Sequence, residues 1–174
     1  MSENDERGRR GLLKVLIGAG SVGLCGALVA PAAVFVAAPV RIEGNGGKRW
    51  VRTMRVDSIP EGQPVKVGIV ADEHDAWAVQ KNVQLGAAWL LRRGDKVTAW
   101  STACPHLGCS INAEPEGKGF ACPCHTSAFG ADGKRVAGPA PRDMDVLETR
   151  IADGFVEVDF HKYRIGVPEK AEIS

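Results

Sequence analysis

The sequence predicts an all-β head of antiparallel sheets with an inserted functional lobe, carried by one N-terminal transmembrane helix. Three observations predict this. Residues Val15 to Val40 contain no charged side chain. From residue 50 onward, short β-rich runs alternate with Gly, Pro and Asp, and no long helical period appears after residue 41. Four of the five cysteines fall between Cys104 and Cys124, in a stretch rich in Pro and Gly that reads poorly as strand. A length of 174 residues suits one domain with an appendage. With 22 Lys and Arg against 21 Asp and Glu, there is no basic excess to neutralise phosphates, which argues against a nucleic-acid partner. The mean hydropathy of -0.10 averages two unlike parts.

Residues 1–14 are polar and carry Arg7, Arg9, Arg10 and Lys14. They read as a cytoplasmic N-terminus under the positive-inside rule. Residues 15–40 follow as the membrane anchor. As a helix this span is about 39 Å long, enough to cross a bilayer core of about 30 Å with some tilt. Its many Gly and Ala residues suit close packing between helices in lipid, and Pro31 is expected to kink it. Cys25 within the span reads as a small packing residue. The run Arg9-Arg10-Gly11-Leu12-Leu13-Lys14 resembles a twin-arginine export signal, which carries folded proteins across the membrane. Ala30-Pro31-Ala32 has the A-x-A form of a cleavage site. Cleavage and retention stay open on this reading, and the apolar continuation to Val40 favours a retained anchor. The head then lies on the periplasmic or outer face of a bacterial inner membrane. Residues 41–49, with Gly44, Gly46 and Gly47, read as a flexible tether, either a membrane-exit linker or a hinge for a moving head.

Residues 50–166 read as the head. Trp50–Val56 and Val65–Val70 are β-rich runs separated by Pro60, Gly62 and Pro64. Ala87–Arg92 and Lys96–Trp100 flank Gly94-Asp95, and Val146–Ile151 and Phe155–Phe160 flank Asp153-Gly154; both pairs read as hairpins. A sandwich or layered sheets is the expected arrangement. Residues 101–145 form the inserted lobe, with few strands expected. Residues 167–174 read as a polar C-terminal tail. Trp50, Trp77, Trp89 and Trp100 are assigned to the β core or a membrane interface, and His74 and His161 to surface or structural roles.

The lobe carries the chemistry. Cys104-Pro105-His106-Leu107-Gly108-Cys109 and Cys122-Pro123-Cys124-His125 give the spacing C-x-H-x15-C-x2-H, with one extra cysteine in each motif. A structural zinc site takes four ligands and leaves two cysteines over. Two disulfides leave both histidines without a role. Covalent haem attachment needs C-x-x-C-H, and the chain has C-x-C-H.

These paired motifs, with Ser127 and the later Gly138-Pro139-Ala140-Pro141, closely resemble the Rieske iron–sulfur family. The resemblance covers the anchor, the tether and the head. It implies a [2Fe-2S] cluster with Cys104 and Cys122 on one iron and His106 and His125 on the other. Neutral imidazoles in place of two thiolates leave less negative charge on the cluster, which raises its potential. It also implies a Cys109–Cys124 disulfide clamping the two loops, compatible with an oxidising compartment. Ser127 corresponds to a family serine whose hydroxyl donates to a cluster sulfide. Leu107, Pro139 and Pro141 correspond to an apolar cover over the cluster. Phe129 stands where many high-potential members have Tyr, and without a hydroxyl it cannot donate to a ligand sulfur. That lowers the expected potential toward one suited to menaquinol. Pro105 and Thr126 stand where Thr and Gly are common.

The extra cysteine pair separates this chain from the ring-hydroxylating dioxygenases and their ferredoxins, which resemble only the four-ligand pattern. The chain looks like the Rieske subunit of a bacterial cytochrome bc-type quinol–cytochrome c reductase. The implied partners are a cytochrome b subunit, a c-type cytochrome, quinol and the membrane. His125 takes the family's quinol-contacting position, so the chain is expected to serve as an electron-transfer subunit of an oxidoreductase and not to turn over alone. The alternative is the Rieske small subunit of a periplasmic molybdoenzyme such as arsenite oxidase, relaying electrons from molybdenum without quinol contact.

Overall fold

The computed structural model describes residues 3–42, 48–74 and 78–173, which form a helical N-terminal unit and a β head. The helix, α1 (Glu3–Ile42), runs 40 residues without interruption at Pro31. The stretch Gly8–Ala37 has a mean hydropathy of 2.0, long and apolar enough to cross a membrane. Leu12, Leu16, Val22, Leu28 and Phe35 are all more than half exposed. Such an apolar surface requires lipid or a partner to cover it. The charge-free span 15–40 lies within this helix, and Cys25 is exposed on it. Of the expected tether 41–49, Arg41 and Ile42 end α1, and residues 43–47 lie outside the described residues. Lys48 and Arg49 already belong to the head. Lys48 pairs with Glu148, and the Arg49 backbone N–H donates to Asp159 Oδ1 at 2.6 Å.

The head contains twelve strands among the described residues: β1 (Trp50–Arg55), β2 (Val65–His74), β3 (Val79–Arg93), β4 (Lys96–Ser101), β5 (Asn112–Ala113), β6 (Gly119–Ala121), β7 (Ala128–Gly130), β8 (Arg135–Ala137), β9 (Val146–Ala152), β10 (Phe155–Asp159), β11 (Lys162–Tyr163) and β12 (Glu172–Ile173). Six of them form one sheet in the order β1-β10-β9-β4-β3-β2. Its two edge strands would stand about 24 Å apart if the sheet were flat, at about 4.8 Å per step. Yet Val51 of β1 and Ile69 of β2 share one core cluster with Leu90, Ala99, Val156 and Val158 from the middle strands. The sheet therefore curls around that core, within the mostly antiparallel β head that the sequence predicts.

The β9–β10 hairpin has the expected two-residue turn. Asp153 and Gly154 have φ of 50° and 76°, the conformation whose twist matches paired strands. Gly94, at φ 61°, opens the β3–β4 turn. β2 and β3 extend beyond their expected limits of Val65–Val70 and Ala87–Arg92. The added polar stretch Gln80–Gln84 is largely exposed, so an apolar pattern could not signal it.

The lobe departs from the expectation of few strands. It holds a separate four-stranded antiparallel sheet, β5-β6-β7-β8, with Phe120 paired to Phe129. These strands have two or three residues each, too short to show a period. Phe120, Phe129, Ile111 and Met144 build a second core with Leu91 and Trp100. Adjacent residues of β3 and β4 thus face different cores. Leu90 and Ala99 point into the first, Leu91 and Trp100 into the second. The β3–β4 hairpin is a wall shared by both.

The polar tail expected at 167–174 is exposed over most of its described residues and does not run free of the head. Residues 162–173 turn back as a strap in which β11 pairs with β12. Lys170 Nζ donates to the Val146 carbonyl at 2.6 Å and sits 4.4 Å from the Tyr163 ring centroid. The Gly166 N–H donates to the Pro105 carbonyl at 2.8 Å. These anchors are backbone and charged groups, so hydropathy gave no sign of them. Trp100 and Trp89 stack near Phe120, at 5.7 and 5.8 Å between centroids, while Trp77 lies outside the described residues. His161 bridges Asp159 at 3.0 Å and Glu172 at 3.4 Å.

Candidate iron–sulfur site

Two six-residue loops form the site, and each closes on its own backbone. In the first, the Cys104 N–H donates to the Cys109 carbonyl at 2.8 Å, and Gly108, at φ 78°, donates to the Cys104 carbonyl at 2.8 Å. In the second, the Cys122 N–H donates to the Ser127 carbonyl at 2.8 Å, and the turn passes through Thr126 at φ 57°. The first loop begins three residues after the end of β4. The second is the connection between β6 and β7. A Cys109–Cys124 disulfide joins the two loops.

The third element is Gly138–Pro141. Gly138 has φ 89°, and a Cβ there would meet the Thr126 carbonyl at 2.7 Å and the Ser127 nitrogen at 2.8 Å. Only glycine lets this segment approach the second loop so closely. The Ala140 N–H then donates to Ser127 Oγ at 3.1 Å, a fully buried bond.

The site is layered. Cys104 and Cys122 are buried at 0% and 3% exposure. His106 is half-buried and His125 exposed, with their rings edge-to-face at 4.8 Å between centroids. Leu107 is 57% exposed and Pro139 is exposed beside this tip, while Pro141 is half-buried. The Cys104 thiol is pushed up by burial; the His106 backbone N–H and the Ser127 hydroxyl, which both reach it, pull the other way, and the Cys122 thiol beside it raises it further. The sulfurs of Cys109, Cys122 and Cys124 lie within 4.8 Å of one another. Because Cys109 and Cys124 are bonded together, they supply no thiolates, and Cys104 and Cys122 are the free cysteines of the two loops.

Two buried thiols below two outward imidazoles match an iron–sulfur centre of mixed sulfur and nitrogen ligation. Hydrogen-bond donors already directed at a thiol fit an anionic, sulfur-rich group.

Fold and site together define an iron–sulfur electron-transfer module. Residues 49–151 match the Rieske [2Fe-2S] domain, and the chain belongs to that family. Its cofactor is a Rieske [2Fe-2S] cluster. The chain is 29% identical over 158 residues to the menaquinol:cytochrome c reductase iron-sulfur subunit of Bacillus subtilis (strain 168), covering 88% of this chain and 92% of that one. It is 31% identical over 166 residues to the cytochrome b6-f complex iron-sulfur subunit of Prochlorococcus marinus (strain MIT 9312), covering 91% and 89%. Among solved structures it is similar to the plasma membrane Rieske protein PetC3 from Synechocystis PCC 6803, with a TM-score of 0.40 and 28% identity over 47% of this chain and 85% of that one.

Sequence reasoning missed Arg142. Its guanidinium is 9% exposed and grips Asp145 through two parallel bonds, Nε to Oδ1 at 2.9 Å and Nη2 to Oδ2 at 2.8 Å. It also donates to the carbonyls of Val167 at 2.6 Å and Arg164 at 2.8 Å. Its place directly after Pro141 was visible in the sequence, but its partners across more than twenty residues were not.

Proposed function

We propose that this chain is the electron-transfer subunit of a membrane-bound cytochrome bc-type complex that oxidises quinol, menaquinol in the first instance, and reduces a c-type cytochrome. The observation that carries this reading is the layering of the site: buried thiols beneath a half-buried and an exposed imidazole. In this reading Cys104 and Cys122 hold one iron, and His106 and His125 hold the other. When bound, the cluster supplies a one-electron acceptor.

The residues do the rest. The buried cysteine side keeps water from the sulfurs, and the Cys109–Cys124 disulfide fixes the spacing of the loops. Ser127, held by Ala140, places its hydroxyl proton toward the sulfur side. His125, exposed at the tip, accepts the quinol's hydrogen bond on the ring nitrogen that faces solvent and takes up its proton as the electron leaves. Leu107 and Pro139 form an apolar rim that excludes water once a quinone-binding partner docks. A cytochrome b subunit would supply that quinone pocket. The apolar helix α1 anchors the chain, with the basic N-terminus in the cytoplasm and the head on the opposite side. The tether at 41–49 then serves as the hinge on which the head moves between donor and acceptor. The similarity to the menaquinol:cytochrome c reductase iron-sulfur subunit of Bacillus subtilis (strain 168) supports the choice of quinol.

Purification of the native membrane complex tests this. The expected outcome is co-purification with b- and c-type haems, quinol-dependent reduction of the cluster, and an electron paramagnetic resonance signal of mean g below 2. Replacement of His125 by Ala abolishes that signal and quinol oxidation together. A colourless, zinc-containing protein defeats the ligand assignment; a molybdenum-containing complex defeats the quinol assignment.

A further inference from the structure

We propose that the C-terminal strap, latched by Arg142, is a positioning element that sets the reduction potential of the iron–sulfur centre through the Pro105–His106 peptide group. The strap reaches the first loop at one point. There the Gly166 N–H donates to the Pro105 carbonyl at 2.8 Å. That carbonyl belongs to the same peptide group as the His106 N–H. The His106 N–H in turn donates to the Cys104 thiol. One chain of hydrogen bonds thus runs from the strap, across a single amide, into a sulfur ligand. A hydrogen bond accepted at the carbonyl polarises the amide and makes its N–H a stronger donor. Donors to ligand sulfur favour the reduced, more negative cluster and raise the potential.

Arg142 keeps the strap in register. It donates to the carbonyls of Arg164 and Val167, on either side of Gly166. Its carboxylate partner Asp145 is 5% exposed and accepts from the Ser101 N–H through its own backbone carbonyl at 2.8 Å. Ser101 ends β4, three residues before Cys104. Arg142 also follows Pro141 directly. The guanidinium therefore ties the strap, the β4 exit and the Gly138–Pro141 segment into one frame around the cluster. Gly166 suits the contact, because its φ of 75° turns its N–H toward the loop. Lysine has one charged tip and cannot reproduce a forked grip together with two carbonyl bonds.

The inference rests on the proposed ligand set, and the test separates the two. The full chain with its cluster, in detergent, is compared with Arg142→Lys, Arg142→Gln, a chain ending at Tyr163, and Arg142→Gln combined with that truncation. Protein-film voltammetry reads the midpoint, and electron paramagnetic resonance reads the ligand set. The truncation and Arg142→Gln are expected to lower the reduction equilibrium constant roughly three- to tenfold, about 30–60 mV at 59 mV per decade. Arg142→Lys falls between them and the unaltered protein. The combined variant shifts no further than the truncation alone, because both act through one peptide group. Unshifted midpoints in variants with normal g values overturn the inference, as do additive shifts in the combined variant. If the truncated chain does not fold, Arg142→Lys decides by the same readout. Loss of thermal stability without a midpoint change marks a purely structural latch and also overturns it. Absence of a Rieske signal from the unaltered protein would instead defeat the ligand set.

Discussion

The Ala140 N–H donates to Ser127 Oγ at 3.1 Å inside the buried site. That bond occupies a lone pair of the hydroxyl and leaves its proton for the sulfur side, where it reaches Cys104. Ser127→Ala removes both functions. The Ala140 N–H, left buried without an acceptor, costs about 1–3 kcal/mol of stability. The lost donor lowers the midpoint potential. Voltammetry and thermal unfolding of the same preparation should show both changes; an unaltered potential would mean that the hydroxyl does not face the cluster.

Phe129 is 3% exposed and pairs with Phe120 in the second core. Phe129→Tyr adds a phenol at the position where the family resemblance places a donor to sulfur. One added hydrogen bond of about 1 kcal/mol corresponds to about 40 mV upward for one electron. Voltammetry is expected to show a rise of that order with the g values retained.

Thr126 carries the second loop through φ 57°. A β-branched residue is strained there, by about 1–2 kcal/mol, and its hydroxyl recovers part of this through a 2.7 Å bond to the His125 carbonyl. Thr126→Gly is expected to raise stability by about 1 kcal/mol, read as a higher unfolding midpoint in guanidinium. The opposite change follows at Gly138, where Ala would press a methyl into the Thr126–Ser127 backbone. Gly138→Ala should cost about 2–4 kcal/mol and yield protein with little bound iron.

Tyr163 is the chain's one tyrosine, so its ionisation can be followed alone by ultraviolet absorbance. Burial pushes its phenol up to about 12, with the carboxylates of Glu172, Asp145, Asp159 and Glu148 adding to the effect. An unfolded tyrosine titrates near 10. Between these values the folded protein holds a proton that the unfolded chain has lost, so stability present below about pH 10 declines as pH rises toward 12. A titration midpoint near 12 in the folded protein and near 10 in denaturant is expected, and Tyr163→Phe should flatten the alkaline decline.

What was legible in the sequence followed from covalent spacing and short-range pattern. The charge-free span, the Asp153-Gly154 turn and the paired Cys and His motifs each lie within a few tens of residues and announce themselves by composition. The rolled sheet was not legible, because nothing local indicates that Val51 and Ile69 meet in one core. The lobe's four strands were too short for a period. The strap was hidden because backbone groups and Arg142 hold it in place of an apolar stripe. At the site, the residue types were readable but their depth was not. Burial of Cys104 beside an exposed His125 comes from how the loops leave β4 and β6, which only tertiary structure fixes.

The shared β3–β4 wall bears on transplantation. Leu90 and Leu91 are neighbours in the chain but belong to different cores, as do Ala99 and Trp100. Residues 101–145 lifted onto another scaffold would leave Leu91 and Trp100 behind and lose one side of their own interior. The lobe is therefore not a portable cassette. A designer wishing to graft this centre must carry the hairpin of β3 and β4 with it, and the strap as well.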